Sequence, residues 1–110
     1  MKKYKVVIMP QAEADLDDIY SYIANTLREP GIAAKQKQRI ADGIRGLNQM
    51  PGRFPLYGAE PWRSQGLRYL TVNNYLTVYK ILEESNAVAV LTVVYAKRDI
   101  ERILQDESSL

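Results

Sequence analysis

The sequence contains neither cysteine nor histidine. Without cysteine, the chain has no disulfide bond and no thiolate metal site. Without histidine, it lacks the commonest general base and the commonest metal ligand of proteins. Acid–base chemistry at neutral pH would therefore depend on tyrosine, lysine or a carboxylate with a shifted pKa. We expect no metal site and no cofactor.

The chain also lacks a strong charge of either sign. It has 15 Lys and Arg residues against 13 Asp and Glu residues, a net charge of +2. Proteins that bind nucleic acid non-specifically usually carry a stronger basic excess. Three acidic residues cluster early, at Asp15, Asp17 and Asp18. Helical spacing spreads them over different faces, and the dipole of a helix favours negative charge at its start, so we interpret them as structural rather than as a metal site.

Long hydrophobic runs are missing as well. The apolar run that follows Lys2 and Lys3, from Val6 to Met9, is far too short for a signal peptide. No run approaches the length that a membrane span requires. We therefore expect a cytoplasmic protein with no membrane partner.

The best-defined pattern is the stretch from Gly66 to Asp99. Three runs rich in β-branched and aromatic residues are separated by Asn73-Asn74 and by a polar connection of four residues, which predicts a three-stranded antiparallel meander. A tight turn at the Asn pair would place Val72 opposite Tyr75 and Arg68 opposite Tyr79. The same register sends Tyr95 to the opposite face of the sheet, unless a single bulge reverses it.

Upstream of the meander, the pattern predicts a strand at Tyr4–Met9 and two helices. Apolar residues recur at helical spacing from Ala12 to Leu27 and again from about Ile32 to Asn48, with Pro30 and Gly31 between the two runs. A short connection of this kind predicts an antiparallel helical hairpin. Downstream, a short helix is predicted from Ile100 to about Gln105.

The predicted fold class is α+β: an antiparallel twisted sheet with an N-terminal helical hairpin on one face, in the order β-α-α-β-β-β-α. Residues 1–110 are expected to form a single domain. The proline-rich loop from Met50 to Trp62 is expected to be ordered. Its arginines, Arg53 and Arg63, are interpreted as structural. The aromatic residues around it are interpreted as packing residues: Tyr57, Trp62, Tyr69 and Tyr75.

The element order and five segments resemble the RelE/ParE toxin superfamily of bacterial type II toxin–antitoxin systems, of the plasmid-stabilisation type. The segments are AEADLDDIYSYI from Ala12, MPGRFPLY from Met50, GLR from Gly66, NYLTVYKI from Asn74 and VVYAKRD from Val93. The resemblance implies a small twisted sheet covered by the helical hairpin. It also implies a cognate antitoxin protein as partner.

The superfamily contains two kinds of toxin: ribosome-dependent endoribonucleases that cut mRNA, and ParE-like poisons of DNA gyrase. If the chain were a ribonuclease, the resemblance would assign catalysis to Arg68, Arg98 and Tyr95. However, Leu76 stands where such ribonucleases carry a phosphate-binding arginine. The resemblance therefore favours DNA gyrase as the target, with Arg68, Lys97 and Arg98 as target-binding residues. The alternatives are the ribonuclease, with the ribosome and mRNA as partners, and an inactive homologue that acts as a binding module.

Overall fold

The computed structural model describes residues 2–96. The predicted final helix from Ile100 to Gln105, and the predicted target-binding residues Lys97 and Arg98, lie outside the described residues. No helix of the described part is long and apolar enough to cross a membrane.

The chain forms two helices and four strands in the described range. The strands are β1 (Lys5–Ile8), β2 (Leu67–Val72), β3 (Tyr75–Leu82) and β4 (Ala87–Tyr95). The helices are α1 (Pro10–Ser21), which continues as a π-helical turn (Tyr22–Thr26), and α2 (Pro30–Arg45). Short 3₁₀ turns lie at Gly46–Asn48, Pro51–Arg53 and Glu83–Ser85. The α+β prediction is thereby confirmed.

The four strands form one sheet in the order β1-β4-β3-β2. The pairs β2–β3 and β3–β4 are antiparallel, as the meander predicts, but β1 lies parallel to β4. The sheet is therefore mixed rather than antiparallel throughout. The sequence could not show this difference, because the apolar pattern of a strand does not identify its neighbour or its direction.

The β2–β3 register agrees with the prediction. Val72 pairs with Tyr75 and Arg68 pairs with Tyr79. The tight turn depends on Asn73, which adopts a φ of +53°. Asparagine tolerates this left-handed conformation better than most residues because its short side chain can form local hydrogen bonds.

The helical hairpin covers one face of the sheet. Pro30 occupies the first turn of α2, where its missing N–H is not needed by the helix. At Gly43, α2 approaches β2 closely: a Cβ at this position would lie 3.0 Å from Leu70 Cδ2 and 3.2 Å from Val72 Cγ2. The main core lies between these two layers; its buried members are Ala12, Leu16, Ile40, Ile44, Leu47, Leu70, Tyr79, Val88, Val90 and Val93.

A smaller core lies on the opposite face of the sheet. There, the loop before β2 places Trp62 against Leu67 and Val78. The ring of Tyr57 meets that of Trp62 edge-on, with the ring centroids 5.8 Å apart. The packing role predicted for Trp62 and Tyr57 is confirmed.

Candidate functional site: a groove between the helical hairpin and the sheet

An open groove of about 790 Å³ runs between the end of α1, the start of α2 and the last residues of β4. Its lining is mainly apolar and aromatic, with two carboxylates. The lining residues are Asp15, Asp18, Ile19, Tyr22, Ile23, Leu27, Ile32, Tyr75, Val93, Val94 and Tyr95.

The helical side of the groove carries an unusual amount of exposed apolar surface. Tyr22, Leu27 and Ile32 are 56%, 52% and 55% exposed. They flank the connection between α1 and α2, where the π-helical turn ends at Thr26 and Arg28 adopts a φ of +56°. Contiguous exposed apolar surface commonly marks a place where a partner binds.

Tyr75 and Tyr95 meet in the groove. They are directly paired across β3 and β4, and their rings make an edge-on contact with centroids 5.7 Å apart. Burial raises the pKa of the Tyr75 hydroxyl above its ordinary value, and the nearby Tyr95 and Tyr22 add to the effect. At neutral pH the Tyr75 hydroxyl is therefore neutral, which suits a packing or hydrogen-bonding surface.

The two carboxylates of the groove have different surroundings. Asp15 is partly buried, and its Oδ2 accepts hydrogen bonds from Thr92 Oγ1 at 2.5 Å and from the Val93 backbone N–H at 3.0 Å. Asp18 is exposed at the rim of the groove. Asp15 therefore serves the fold, and Asp18 supplies the accessible negative charge.

Arg68, the first predicted site residue, does not line this groove. It is partly buried, and its Nη1 donates to the carbonyl oxygens of Phe54 at 2.6 Å and Gly52 at 3.2 Å. The guanidinium thus fixes the proline-rich loop against the edge of β2, where Leu56 forms an isolated bridge to Arg68. This is a structural use of the side chain.

Two neighbours of Arg68 hold the same loop. Tyr79 is fully buried, and its hydroxyl donates to the carbonyl of Pro51 at 2.5 Å. Burial raises the pKa of Tyr79 to about 12, although the positive charges of Arg68 and Arg53 oppose the shift. Arg53 donates to the carbonyls of Gln49, of Met50 at 3.0 Å and of Gly46 at 3.2 Å. The structural role predicted for Arg53 is confirmed by these contacts.

Arg68 and Tyr95 share a face of the sheet but are not brought together. A bulge in β4, at which Val78 pairs with Thr92 and Tyr79 with Val90, turns Tyr95 to the helical side. The two positions are separated by four residues along the strands and by two strand spacings, roughly 16 Å.

Leu76, at the position of the expected phosphate-binding arginine, points away from Arg68. Leu76 lies three residues before Tyr79 on β3, and Arg68 pairs with Tyr79 in an unbroken β2–β3 register. Because side chains alternate along a strand, Leu76 and Arg68 lie on opposite faces of the sheet. Among the described residues, no group of three or more Asp and Glu side chains could hold a metal ion.

The sequence pattern identifies only part of the helical wall of the groove. The apolar face predicted for the first helix includes Ile19, Ile23 and Leu27, whereas no pattern assigns Tyr22 or Ile32 to a groove. The sequence signal for Ile32 is its place directly after Pro30 and Gly31, where a hairpin connection would normally be polar.

The chain was compared with known proteins. The family model described as "ParE toxin of type II toxin-antitoxin system, parDE" matches residues 6–100. A comparison with curated protein sequences gave no match.

Solved structures share the fold. A chain of the chromosomal ParDE toxin–antitoxin system from P. aeruginosa superposes with a TM-score of 0.72 at 22% identity, covering 88% of this chain and 100% of that chain. A chain of the RelBE2 toxin–antitoxin complex from Mycobacterium tuberculosis has a TM-score of 0.61 at 22% identity, with coverages of 88% and 97%. A mutant of the E. coli RelE toxin in the free state has a TM-score of 0.66 at 13% identity, with coverages of 97% and 96%.

The family match spans most of the chain, and the α+β architecture is the one that these toxin structures share. The protein belongs to the ParE toxin family of type II toxin–antitoxin systems, within the RelE/ParE superfamily.

Proposed function

We propose that this toxin stops growth by binding and poisoning DNA gyrase, and that it is not a ribonuclease. The observation that carries the proposal is the use of Arg68. Its Nη1 donates to the carbonyls of Phe54 and Gly52, so the guanidinium is held against the proline-rich loop.

The candidate catalytic positions that the structure describes do not converge on one point, and this supports the same conclusion. Cleavage of RNA requires donors that converge on one phosphate, together with an acid and a base. Arg68 and Leu76 lie on opposite faces of the sheet, and Tyr95 is remote from Arg68. An arginine at position 76 would therefore not complete a site with Arg68. The match to the ParE family further supports gyrase over the ribosome.

We further propose that Lys97 and Arg98 bind the target. They follow Tyr95 and Ala96 directly in the sequence. Replacing both with alanine is expected to abolish growth inhibition while antitoxin capture persists. The matched control replaces Lys35 and Arg39, two basic residues of α2 with exposed side chains, and should leave growth inhibition intact.

The cognate antitoxin is proposed to cover the groove. Two of the solved relatives are complexes of a toxin with its antitoxin. In this chain, the exposed side chains of Tyr22, Leu27 and Ile32 offer an apolar surface that suits the apolar face of an amphipathic helix or an added strand.

The antitoxin proposal has a direct test. Ile32→Ser is expected to weaken antitoxin binding by roughly tenfold or more, because burying an isoleucine side chain contributes about 1.5–3 kcal/mol. Met50→Ser is the matched control, since Met50 is similarly exposed but lies outside the groove. Equal losses of affinity for both variants, or none for Ile32→Ser, would argue against the groove.

Induced expression in a bacterial host distinguishes the two targets. The proposal predicts DNA breaks and filamentous cells, with protein synthesis continuing during the first minutes. An immediate stop of protein synthesis, with cleavage of ribosome-bound mRNA, would instead establish the ribonuclease. Normal growth at a verified level of folded toxin would favour an inactive homologue.

A further inference from the structure

Strand β4 contains one residue more than its partner requires. Tyr79 pairs with Val90 and Val78 pairs with Thr92, so Leu91 has no partner on β3. This is a β-bulge, which bends the strand and changes the face to which the following side chains point. Val90 and Val93 consequently both belong to the main core, although they lie three positions apart and would point to opposite faces of a regular strand.

The bulge lies where β4 loses its other neighbour. Strand β1 accompanies β4 only as far as Val90, to which Met9 N–H donates at 2.9 Å, and α1 begins with the next residue of the chain. Beyond this point, the described residues provide no strand on that side of β4. The carboxylate of Asp15, from the second turn of α1, lies beside this unpaired part of β4. It accepts hydrogen bonds from the Thr92 hydroxyl and the Val93 backbone N–H.

We propose that Asp15 is a positioning residue that stabilises this bulge and thereby directs Tyr95 into the groove. A carboxylate suits the task because it only accepts hydrogen bonds and can accept several at once. Thr77 and Val93 form a non-hydrogen-bonded pair of the antiparallel ladder, so the Val93 N–H points away from β3. Asp15 accepts a hydrogen bond from this N–H. The importance of the groove for partner binding rests on the proposed function, whereas the role of Asp15 in the register does not.

The register that β3 and β4 would adopt without the bulge follows from counting residues along the two strands. Without the bulge, continuous pairing from Tyr79 with Val90 would place Val94 opposite Tyr75. Tyr95 would then point to the opposite face of the sheet, because side chains alternate. Asp15 therefore selects between two registers that differ by one residue, and only one of them forms the Tyr75–Tyr95 contact.

Nuclear magnetic resonance of the purified chain tests this selection. In Asp15→Ala, the contacts between the rings of Tyr75 and Tyr95 should disappear and contacts between Tyr75 and Val94 should replace them. In the register without the bulge, Val93 lies opposite Leu76, where its amide is hydrogen-bonded to β3, and the Thr92 amide points outward instead. Exchange of the Thr92 amide hydrogen should therefore accelerate by roughly three- to tenfold, the factor that one hydrogen bond contributes. Asp17→Ala is the matched control, since Asp17 lies on the same helix with an exposed ion pair to Lys37.

A residue that merely stabilises the fold would give a different result. Asp15→Ala would then lower the unfolding midpoint but keep the Tyr75–Tyr95 contact, and this outcome would overturn the proposal. If Asp15→Ala does not fold, Thr92→Val carries the test because it removes one of the two donors without changing the side-chain volume much. The proposal predicts that contacts between Tyr75 and Val94 gain intensity at the expense of the Tyr75–Tyr95 contacts in this variant, and unchanged Tyr75–Tyr95 contacts would refute it. Growth inhibition is not used as a readout, so failure of the gyrase proposal leaves this test intact.

Discussion

Replacing Arg68 with alanine should destabilise the protein substantially, although arginine at a functional surface can usually be removed at little cost in stability. The guanidinium donates to the partly buried carbonyl of Phe54 at 2.6 Å and to that of Gly52 at 3.2 Å. Hydrogen bonds to charged groups contribute about 1.5–3 kcal/mol each. The second bond is longer and exposed, so it adds little, and we expect a total loss of roughly 2–3 kcal/mol.

The assay is urea denaturation of the purified chain, followed by circular dichroism. The free energy of unfolding from this assay should fall by roughly 2–3 kcal/mol. In a separate thermal denaturation, the midpoint should fall by roughly 10 °C in a domain of this length. Arg63→Ala is the control: Arg63 is an exposed arginine of the preceding loop and should change the free energy of unfolding by less than about 0.5 kcal/mol. If Arg68→Ala is as stable as Arg63→Ala, the guanidinium is free to contact a substrate, and the main argument against a ribonuclease fails.

Three further predictions concern Tyr79 and two glycines of the helical layer. The pKa of Tyr79 is raised to about 12, so the folded state holds the phenol proton more tightly than the unfolded state. The free energy of unfolding should therefore fall as the pH rises from about 10 to about 12. In Tyr79→Phe, urea unfolding should no longer show this part of the pH dependence. Gly46→Ala should stabilise the protein by about 0.4–1 kcal/mol, because Gly46 has a helical φ of −64° and the new Cβ would lie 3.6 Å from the Arg53 Nη2 atom. Gly43→Ala should be less stable than Gly46→Ala in thermal denaturation, since its Cβ would lie 3.0 Å from Leu70 Cδ2; the reverse order would contradict the close packing of α2 on β2.

The meander could be predicted from the sequence because its determinants are local. The pair Asn73-Asn74 sets the turn, and the turn sets the pairing of Val72 with Tyr75 and of Arg68 with Tyr79. The helical hairpin is also local, since its connection is marked by Pro30. The expected α+β class followed from these two units.

The features that shape the groove could not be predicted because their determinants are distant in the sequence. The bulge at Leu91 depends on Asp15, which lies 77 residues before Thr92. Nothing in the residues around Leu91 indicates an extra residue, and the sequence analysis could only name a bulge as the condition that would move Tyr95. The parallel pairing of β1 with β4 is likewise a long-range choice.

Arg68 shows why the role of a single site residue could not be predicted from the sequence. The family resemblance placed Arg68 among the catalytic or target-binding candidates. Its hydrogen bonds depend on the path of the loop from Gly52 to Leu56, which the single proline of that segment, Pro55, does not specify. An arginine that satisfies loop carbonyls and one that binds phosphate have the same sequence signature.

The central claim is that the toxin acts on gyrase, and a supercoiling assay with purified components tests it most directly. Purified gyrase, ATP and relaxed plasmid would be incubated with the toxin, with and without an excess of the antitoxin. The account predicts loss of supercoiling and accumulation of cleaved plasmid, both prevented by the antitoxin. Unchanged gyrase activity, together with toxin-dependent cleavage of mRNA on purified ribosomes, would contradict it.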